Sequence, residues 1–481
     1  MTLMVPYRRR RVINTCCNGR LTTKAIDMAR NLKRLIGALA ISIIVCTGVQ
    51  AATSRPSFVV SDIYNYNHPY AATDSGDLAT KMQLMSASAF YFYRGTADIF
   101  YRDTTTLPAS SYTSNATGFT WIGGDAHLSN FGAQRDSGGT AAFTTDDFDE
   151  GYLGQYVWDL RRAAVSMVLA GRENGLSDSQ ITSGINTFVA AYVTQINSFA
   201  KGNGEASFQL TSGNTSSVVK DTISDANDGS RSDLLSKYTS TKNGVRTFQN
   251  ASNLVAVSSA NYTAISNAVD NYIQTISSSK RYAASYYAIK DIHQKLGSGT
   301  GSLGRLRYYV LIEGPSTSTS DDVILELKQE ASSNVALAAP GQLPPAEYGS
   351  NEGERVALTN KAQLLNTDVL VGYATINGAP YYVHEKSPYE EDFDYTQLTS
   401  SSKFSTAMTY VGQALASAHA LADQDYNPAI VPYDIDAQIS AVANSSGLQT
   451  EISSFAFSYA DQVNLDWQAF VSAYNAGTPL Y

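Results

Sequence analysis

The apolar residues of this chain change period twice, and that change constrains its fold more than any single motif. Residues 78–103 carry a broad helical face with no proline, and the stretches 156–175 and 178–201 keep the same period. Then "YAIKDIHQKLG", "RLRYYVLIEG" and "DVILELKQEA" alternate as strands, the first two joined by "SGTGSLG". A helix at 352–366 and a strand at "APYYVHEK" follow, and the helical period returns at 401–422 and 434–475. In the 401–422 segment Phe404, Met408, Val411 and Leu415 fall on one face. Helices on both sides of a strand-rich middle predict an α+β architecture. Short strands making one hairpin are expected around the "DSGG" turn of residues 119–150. The polar stretch 202–250 reads as a loop-bearing insertion, with helices resuming near 253–278.

At 481 residues, the chain has room for two or three units or one large bilobal one. Charged residues are only 16%, against about 25% in an average soluble protein. The first 51 residues differ from the rest, holding nine of the 34 Lys and Arg, one of the 43 acids, and Cys16, Cys17 and Cys46. Basic residues, an apolar run from Leu35 to Val45 and the small-residue end "VQA" predict an export signal cleaved after Ala51, with Met28 as an alternative start. The alternative is an uncleaved membrane anchor, since roughly 20 apolar residues are needed to span a bilayer and this run is shorter. The expected location is therefore periplasmic or extracellular. Residues 52–481 carry 25 basic and 42 acidic side chains, a net charge near −17. A surface of that sign repels phosphate backbones, so nucleic acid is excluded as a partner, and no membrane contact is expected beyond the N-terminal segment. With no cysteine after residue 51, this part is held by its core and not by disulfides.

The segment "GGDAHLSNFG" packs Asp125, His127 and Asn130 into six positions, and "TTDDFDEG" follows with Asp147, Asp149 and Glu150. Acids on either side of a hairpin, with an amide between them, suit phosphoryl transfer. One carboxylate takes the proton of the attacking hydroxyl, while oxygen ligands hold Mg²⁺ against the nucleotide phosphates. Asp125 is the expected base, and Asn130 and Asp147 the expected ligands, with Asp149 either a further ligand or a helix cap. Phosphate donors are expected downstream. Gly297, Gly299, Gly301 and Gly304 sit between two strands, where backbone N–H groups approach an anion closely. In "VILELK", Val323, Leu325 and Leu327 share one face and leave Lys328 on the other.

These parts resemble the protein-kinase-like superfamily, above all its aminoglycoside phosphotransferase branch, through Gly124, Asp125, His127 and Asn130 and the following Asp147-Phe148-Asp149. Asp159 in "WDLRR" resembles the acid that braces the catalytic loop. The glycine loop and lysine come after the catalytic loop here, the reverse of the kinase order, so the resemblance implies a circularly permuted bilobal fold. Its small lobe would span 286–395, and its helical lobe would combine 52–201 and 396–481, with 202–285 inserted. It further implies Mg²⁺ and ATP, or another nucleotide, as cofactors, and Glu354 or Glu352 as the partner of Lys328.

The chain from end to end also resembles the bacterial family catalogued as domain of unknown function 2252. The likeness rests on "MSASAFYFYRG" (85–95), "GDAHLSNFG" (124–132), "WDLRRAAVS" (158–166), "GSGTGSLGRLRYYVLIEG" (297–314) and "LELKQEAS" (325–332). Two other readings of the same residues stand beside phosphoryl transfer to a small molecule or protein. One is a catalytically silent kinase-like module that binds a ligand or protein. The other is a metal-dependent hydrolase built on Asp125, His127, Asp147 and Asp149. A plain hairpin whose Asp and Asn side chains cap turns accounts for the acids without any chemistry. His127 suits a bracing role as well as a catalytic one. Arg94 in "FYFYRG" suits either an anion or the turn at Asp125.

Overall fold

The computed structural model describes residues 54–113 and 118–481. The leader or anchor expected over residues 1–51 lies outside the described residues. The fold is mixed α/β, about half helical, and every sheet is antiparallel.

Helix Tyr156–Glu173 is the axis of the helical part, and every residue from Tyr156 to Gly171 is buried. Helix Asp178–Phe199 begins at Ser177, whose hydroxyl accepts from Gln180 N while the Gln180 side chain returns to the Ser177 backbone. It packs along helix Ser401–Leu421, and two glycines set how closely. A Cβ on Gly412 would lie 2.4 Å from the Phe188 carbonyl oxygen, and one on Gly184 would lie 2.2 Å from the Phe404 ring. The 31-residue helix Ser445–Asn475 packs against helices Tyr156–Glu173 and Asp178–Phe199. Side chains from both halves of the chain, Phe90, Trp121, Leu160 and Phe188 among them with Phe404, Val411 and Phe470, form one core.

Strands β1 (Phe119–Ile122), β2 (Phe131–Arg135), β3 (Ala141–Thr145) and β4 (Tyr152–Gln155) form two nested pairs. β2 and β3 make a hairpin, while β1 pairs with β4 around it. The turns at each end of the inner hairpin therefore project together. β5 (Thr239–Lys242) and β6 (Val245–Phe248) form a separate hairpin. The main sheet has the order β11-β12-β10-β9-β8-β7. Its strands are β7 (Leu254–Ala256), β8 (Ile289–Lys295), β9 (Arg307–Ile312), β10 (Val323–Gln329), β11 (Gly372–Ile376) and β12 (Ala379–Glu385). A last strand, β13 (Glu390–Asp392), joins the edge of β2.

Alternation along β10 decides which face does what. Val323, Leu325 and Leu327 pack with Val310, Ile312, Ile265 and Tyr272 in a second core beneath helix Ser259–Tyr272. Ile324, Glu326 and Lys328 take the opposite face.

Three expectations need correction. The apolar run 78–103 is not one helix but three, Ala71–Ala87, Ala89–Arg94 and Ala97–Thr104. Ser88 is extended and caps Tyr91 N, and a second break follows at Gly95 and Thr96. The strands of residues 119–155 make the two nested pairs and not a single hairpin. Residues 202–250, expected as a loop-bearing insertion with helices resuming only near 253, already hold helices Ser217–Asp228 and Arg231–Tyr238 and the β5–β6 hairpin. Among the sparse apolar residues there, Val218, Val219, Ile223, Ala226 and Leu235 are buried, so a few well-placed contacts order a polar segment. Among the described residues no helix is long and apolar enough to cross a membrane.

The glycine contacts make a prediction. Gly412→Ala should destabilise the protein by about 1–3 kcal/mol in urea unfolding, because its methyl group meets backbone. Gly184→Ala should cost less, since the Phe404 side chain can turn aside. Equal small losses in both would show that the helices are not held at this distance.

Candidate functional site

The turn 123–130 is fixed by a buried carboxylate. Asp159, fully buried on helix Tyr156–Glu173, accepts from Gly124 N at Oδ1 and from Gly123 N at Oδ2, each at 2.9 Å. Its Oδ2 also faces His419 Nε2 at 3.2 Å, and His419 Nδ1 lies 2.9 Å from the Tyr192 hydroxyl. Gly124 has φ +78°, and a Cβ there would strike the Glu150 carbonyl, so this turn requires glycine. Tyr101 donates to Gly124 O at 2.6 Å, and Asn130 Nδ2 to Asp125 O at 2.9 Å. The amide nitrogen of Asn130 is thus spent on the turn, leaving its oxygen as the atom available to a ligand.

Asp125 itself is paired with Arg162, whose Nε lies 2.5 Å from Oδ1. Burial pushes the Asp125 carboxyl up, the Arg162 guanidinium pulls it down, and the balance stands at about 7. His127 Nε2 is 3.7 Å from the other carboxylate oxygen. The ring is buried against Phe90, and burial together with Arg94 and Arg162 keeps it well below the usual imidazole range. The ring packs inside the turn, and its Nδ1 is buried without a hydrogen-bond partner.

Lys328 meets the second acidic turn across the cleft. Its Nζ donates to Asp149 Oδ1 at 2.6 Å and to Asp147 Oδ1 at 3.2 Å. Burial alone would raise Asp149, but the charges of Lys328 and Arg305 hold it at about 2. Burial works against the Lys328 ammonium, and the two aspartates more than offset it, raising its pKa. Next to Lys328, Arg307 Nη1 donates to Glu326 Oε1 at 2.7 Å, and His384 Nε2 lies 2.9 Å from Glu326 Oε2. Glu330 is buried with no hydrogen-bond partner for either oxygen; Arg305 stands 3.8 Å away.

The glycine loop completes the site. Gly297, Gly299 and Gly304 adopt φ of +70°, +77° and +98°, which no side chain favours. Gly301 does not; its carbonyl accepts from buried Lys81 at 3.1 Å. Gly297 N is already bonded to the Asp77 carboxylate at 2.9–3.0 Å. Residues 299–302 wall a recess of about 50 Å³ whose other walls include Asp125, His127, Asn130, Asp147 and Asp149, with Arg94 and Arg305. The recess shares Asp147, Asp149 and Gly299 with a cleft of about 540 Å³ that contains Lys328, with Phe148, Leu364 and Val371 as apolar walls. That size suits a ligand the size of a nucleotide.

One sequence-predicted residue falls outside this arrangement. Glu354 bonds Tyr373 and is not among the residues around Lys328, whose partners are Asp147 and Asp149. Glu352 is bound to Arg355 at 2.5 Å. The helix beginning at Glu352 instead places Arg355 across the acidic turn, donating to Asp149 O and Gly151 O. Residues that reasoning from sequence missed are Arg162, Arg305, Arg307 and Glu330. Arg162 was within reach, since Asp159 and Arg162 are spaced i,i+3 and so share a helix face. Among the described residues no three Asp, Glu, His or Cys side chains are gathered as a metal would require. A cation here would rest on two carboxylates and the Asn130 oxygen.

Fold and site together define a mixed α/β protein with a carboxylate-lined cleft, a lysine from a packed strand and a glycine loop over its inner end. The chain belongs to the family described as uncharacterized protein conserved in bacteria (DUF2252), which matches residues 74–473. No curated protein and no solved structure matches it.

Removing the Arg162 charge tests the electrostatics. A raised carboxyl favours the fold fully below its unfolded value near 4, and that contribution fades as pH rises through about 7. Without Arg162 the Asp125 carboxyl should rise further. Arg162→Met should therefore cost about 3–5 kcal/mol in urea unfolding at pH 8, where the carboxylate is buried unpaired, and clearly less at pH 5. The same loss at both pH values would show that only packing was removed.

Proposed function

We propose that this protein is a Mg²⁺-dependent phosphotransferase that moves a phosphoryl group from ATP or a related nucleotide to a hydroxyl of a small molecule or protein. The observation that carries the proposal is the shared recess: Asp125, Asn130, Asp147 and Asp149 face the glycine loop, with Lys328 bonded to both metal-side acids.

In this reading Asp125 accepts the proton of the acceptor hydroxyl as its oxygen bonds to the γ-phosphorus and the bond to the β-phosphate oxygen breaks. A carboxyl poised at about 7 is matched to proton transfer near neutral pH. Asp147, Asp149 and the Asn130 oxygen would hold Mg²⁺, which supplies positive charge against the phosphate oxygens. Two carboxylates with phosphates completing the shell is a usual way for proteins to hold this ion. Lys328 orients the phosphates, residues 297–304 cover them, and Phe148, Leu364 and Val371 offer an apolar wall to the base. In architecture the reading is of a kinase-like bilobal fold, circularly permuted so that the catalytic turn precedes the glycine loop in sequence.

Lys328 already neutralises Asp147 and Asp149, so ammonium and metal compete for the same oxygens until phosphates draw the lysine away. That competition gives an unusual test by thermal and chemical denaturation. Mg-ATP should stabilise the parent by about 2.7 kcal/mol at a hundredfold excess over its dissociation constant. Lys328→Met should lose most of this effect yet respond more strongly than the parent to Mn²⁺ alone, and Asp147→Ala should lose both. A parent that responds to no nucleotide ends the phosphotransferase reading. A response to Mn²⁺ alone, with phosphate ester hydrolysis and no nucleotide requirement, would put a hydrolase in its place.

A further inference from the structure

The segment "FYFYRG" carries an arginine that the mechanism above leaves unused. Helix Ala89–Arg94 is pinned by buried Phe90, Phe92 and Tyr93, and Arg162 Nη2 donates to the Tyr93 carbonyl at 3.1 Å. Arg162 also holds Asp125, so one guanidinium fixes both that acid and the backbone that presents Arg94. The glycine loop approaches from the other side: a Cβ on Gly301 would lie 3.6 Å from the Arg94 carbonyl oxygen.

Arg94 does not brace the Asp125 turn, which is held by Asp159, Tyr101, Asn130 and Arg162. Among the described residues its guanidinium makes no ion pair and no hydrogen bond. Its Nε is buried without a partner, and the group rests over the Tyr91 ring, 5.5 Å from the centroid. Its charge reaches Asp146 and His127 without a contact to either. Every other Lys or Arg that lines the recess or the cleft donates to a neighbour: Lys328, Arg307 and Arg231 to carboxylates, Arg305 to Tyr66 and Arg135 to Asn227. Among the described residues, Arg94 is also the one Lys or Arg that lines both spaces. It therefore stands where the recess opens into the cleft.

The acids of the recess are already answered without it. Asp125 has Arg162, Asp147 and Asp149 have Lys328, and Glu150 accepts from the Asn334 backbone and side chain. The positive charge of Arg94 is thus left over, on a planar fork of donors whose geometry matches a phosphate. A partly desolvated charge without a partner is a cost to the fold and an asset to an anion that arrives.

We propose, resting on the phosphotransferase reading, that Arg94 is a catalytic residue whose guanidinium receives the oxygens of the phosphoryl group as it passes from nucleotide to acceptor. In that step the acceptor oxygen bonds to the γ-phosphorus, the bond to the β-phosphate oxygen breaks, and Asp125 takes the hydroxyl proton. Lys328 lines the cleft and not the recess, which suits it to the bound nucleotide. Arg94 stands between the two, near the base, which suits it to charge that builds only while the group crosses.

The test is calorimetry of the purified full chain with Mg-ADP, alone and with aluminium fluoride, which stands in for the phosphoryl group in transfer. In the parent, aluminium fluoride should tighten Mg-ADP binding about a hundredfold or more. Arg94→Gln should keep the parent's Tm without ligand, since no ion pair is lost, and bind Mg-ADP within about twofold of the parent. It should lose about tenfold or more of the tightening, the worth of hydrogen bonds to a charged group. Arg94→Lys, which keeps the charge without the fork, should recover part of the gain and reads the same contact if the glutamine variant loses its fold. Equal tightening in the parent and Arg94→Gln overturns the role of Arg94 and leaves the phosphotransferase reading standing, as does a parent that binds Mg-ADP yet gains nothing from aluminium fluoride. Loss of Mg-ADP binding itself in Arg94→Gln also overturns it, by making the contact one to the resting nucleotide. A parent that binds no Mg-ADP removes that reading and this inference with it.

Discussion

The structure turns on one carboxylate. Asp159 accepts both glycine N–H groups at the head of the 123–130 turn and faces His419 with an oxygen already bonded to Gly123. All of these groups are buried, so the contacts form in a medium where an unmatched charge or N–H is costly. The three elements they join lie 35 to 260 residues apart in sequence. Three residues further along the same helix, Arg162 grips Asp125. A single helix therefore sets both the backbone of the turn and the charge of its central acid.

Much of this was legible in the sequence, for reasons that differ by element. β8, β9 and β10 are legible as strands because one face packs in the core beneath helix Ser259–Tyr272. The other carries Arg307, Glu326 and Lys328 toward the cleft, beside a smaller apolar cluster of Tyr309, Leu311 and Ile324. That same alternation put Lys328 opposite Leu327. Asp159 was legible only through its resemblance to the acid that braces the catalytic loop of kinase-like proteins; its burial appears only in the fold. The segment 202–250 was not legible, since its helices rest on a handful of apolar contacts supplied by the rest of the molecule. The partner of Lys328 was misread because analogy pointed to a glutamate on the following helix, whereas Coulomb attraction across the cleft was already met by Asp147 and Asp149. Glu330 left no signal at all: a strand-end glutamate looks solvated until the fold buries it.

Charge is distributed in the cleft so that no single pair is complete. Lys328 divides itself between two aspartates, Arg307 and His384 share Glu326, and Arg305 stands 3.8 Å from a Glu330 that has no hydrogen bond. Such an arrangement is poorly suited to stabilising the fold, since buried ion pairs seldom offset their desolvation. It is well suited to exchanging partners, because each of these cations holds an acid that another cation can take over. In the proposed reaction, a ligand bearing both an anion and a divalent metal would meet donors and acceptors that already line one space.

The acidic loop of residues 423–434, which follows helix Ser401–Leu421, and the cleft are not separate parts of the molecule. Helix Ser401–Leu421 ends with His419, which faces Asp159, and the carbonyl of Ala422 accepts from the Thr120 hydroxyl at 3.0 Å and from Trp121 N at 3.5 Å. Asp423, the next residue, fixes both ends of the acidic loop by accepting from Asp425 N and Ile435 N. Strand β1, which leads straight into Gly123 and Asp125, is thus hydrogen-bonded to the residue at which the acidic loop begins. That loop is thus joined to the Asp125 turn through one carbonyl and one imidazole. Geometry at the cleft is consequently only as firm as the anchoring of residues 422–434, which makes the repulsion among their carboxylates a property of the site as much as of the surface.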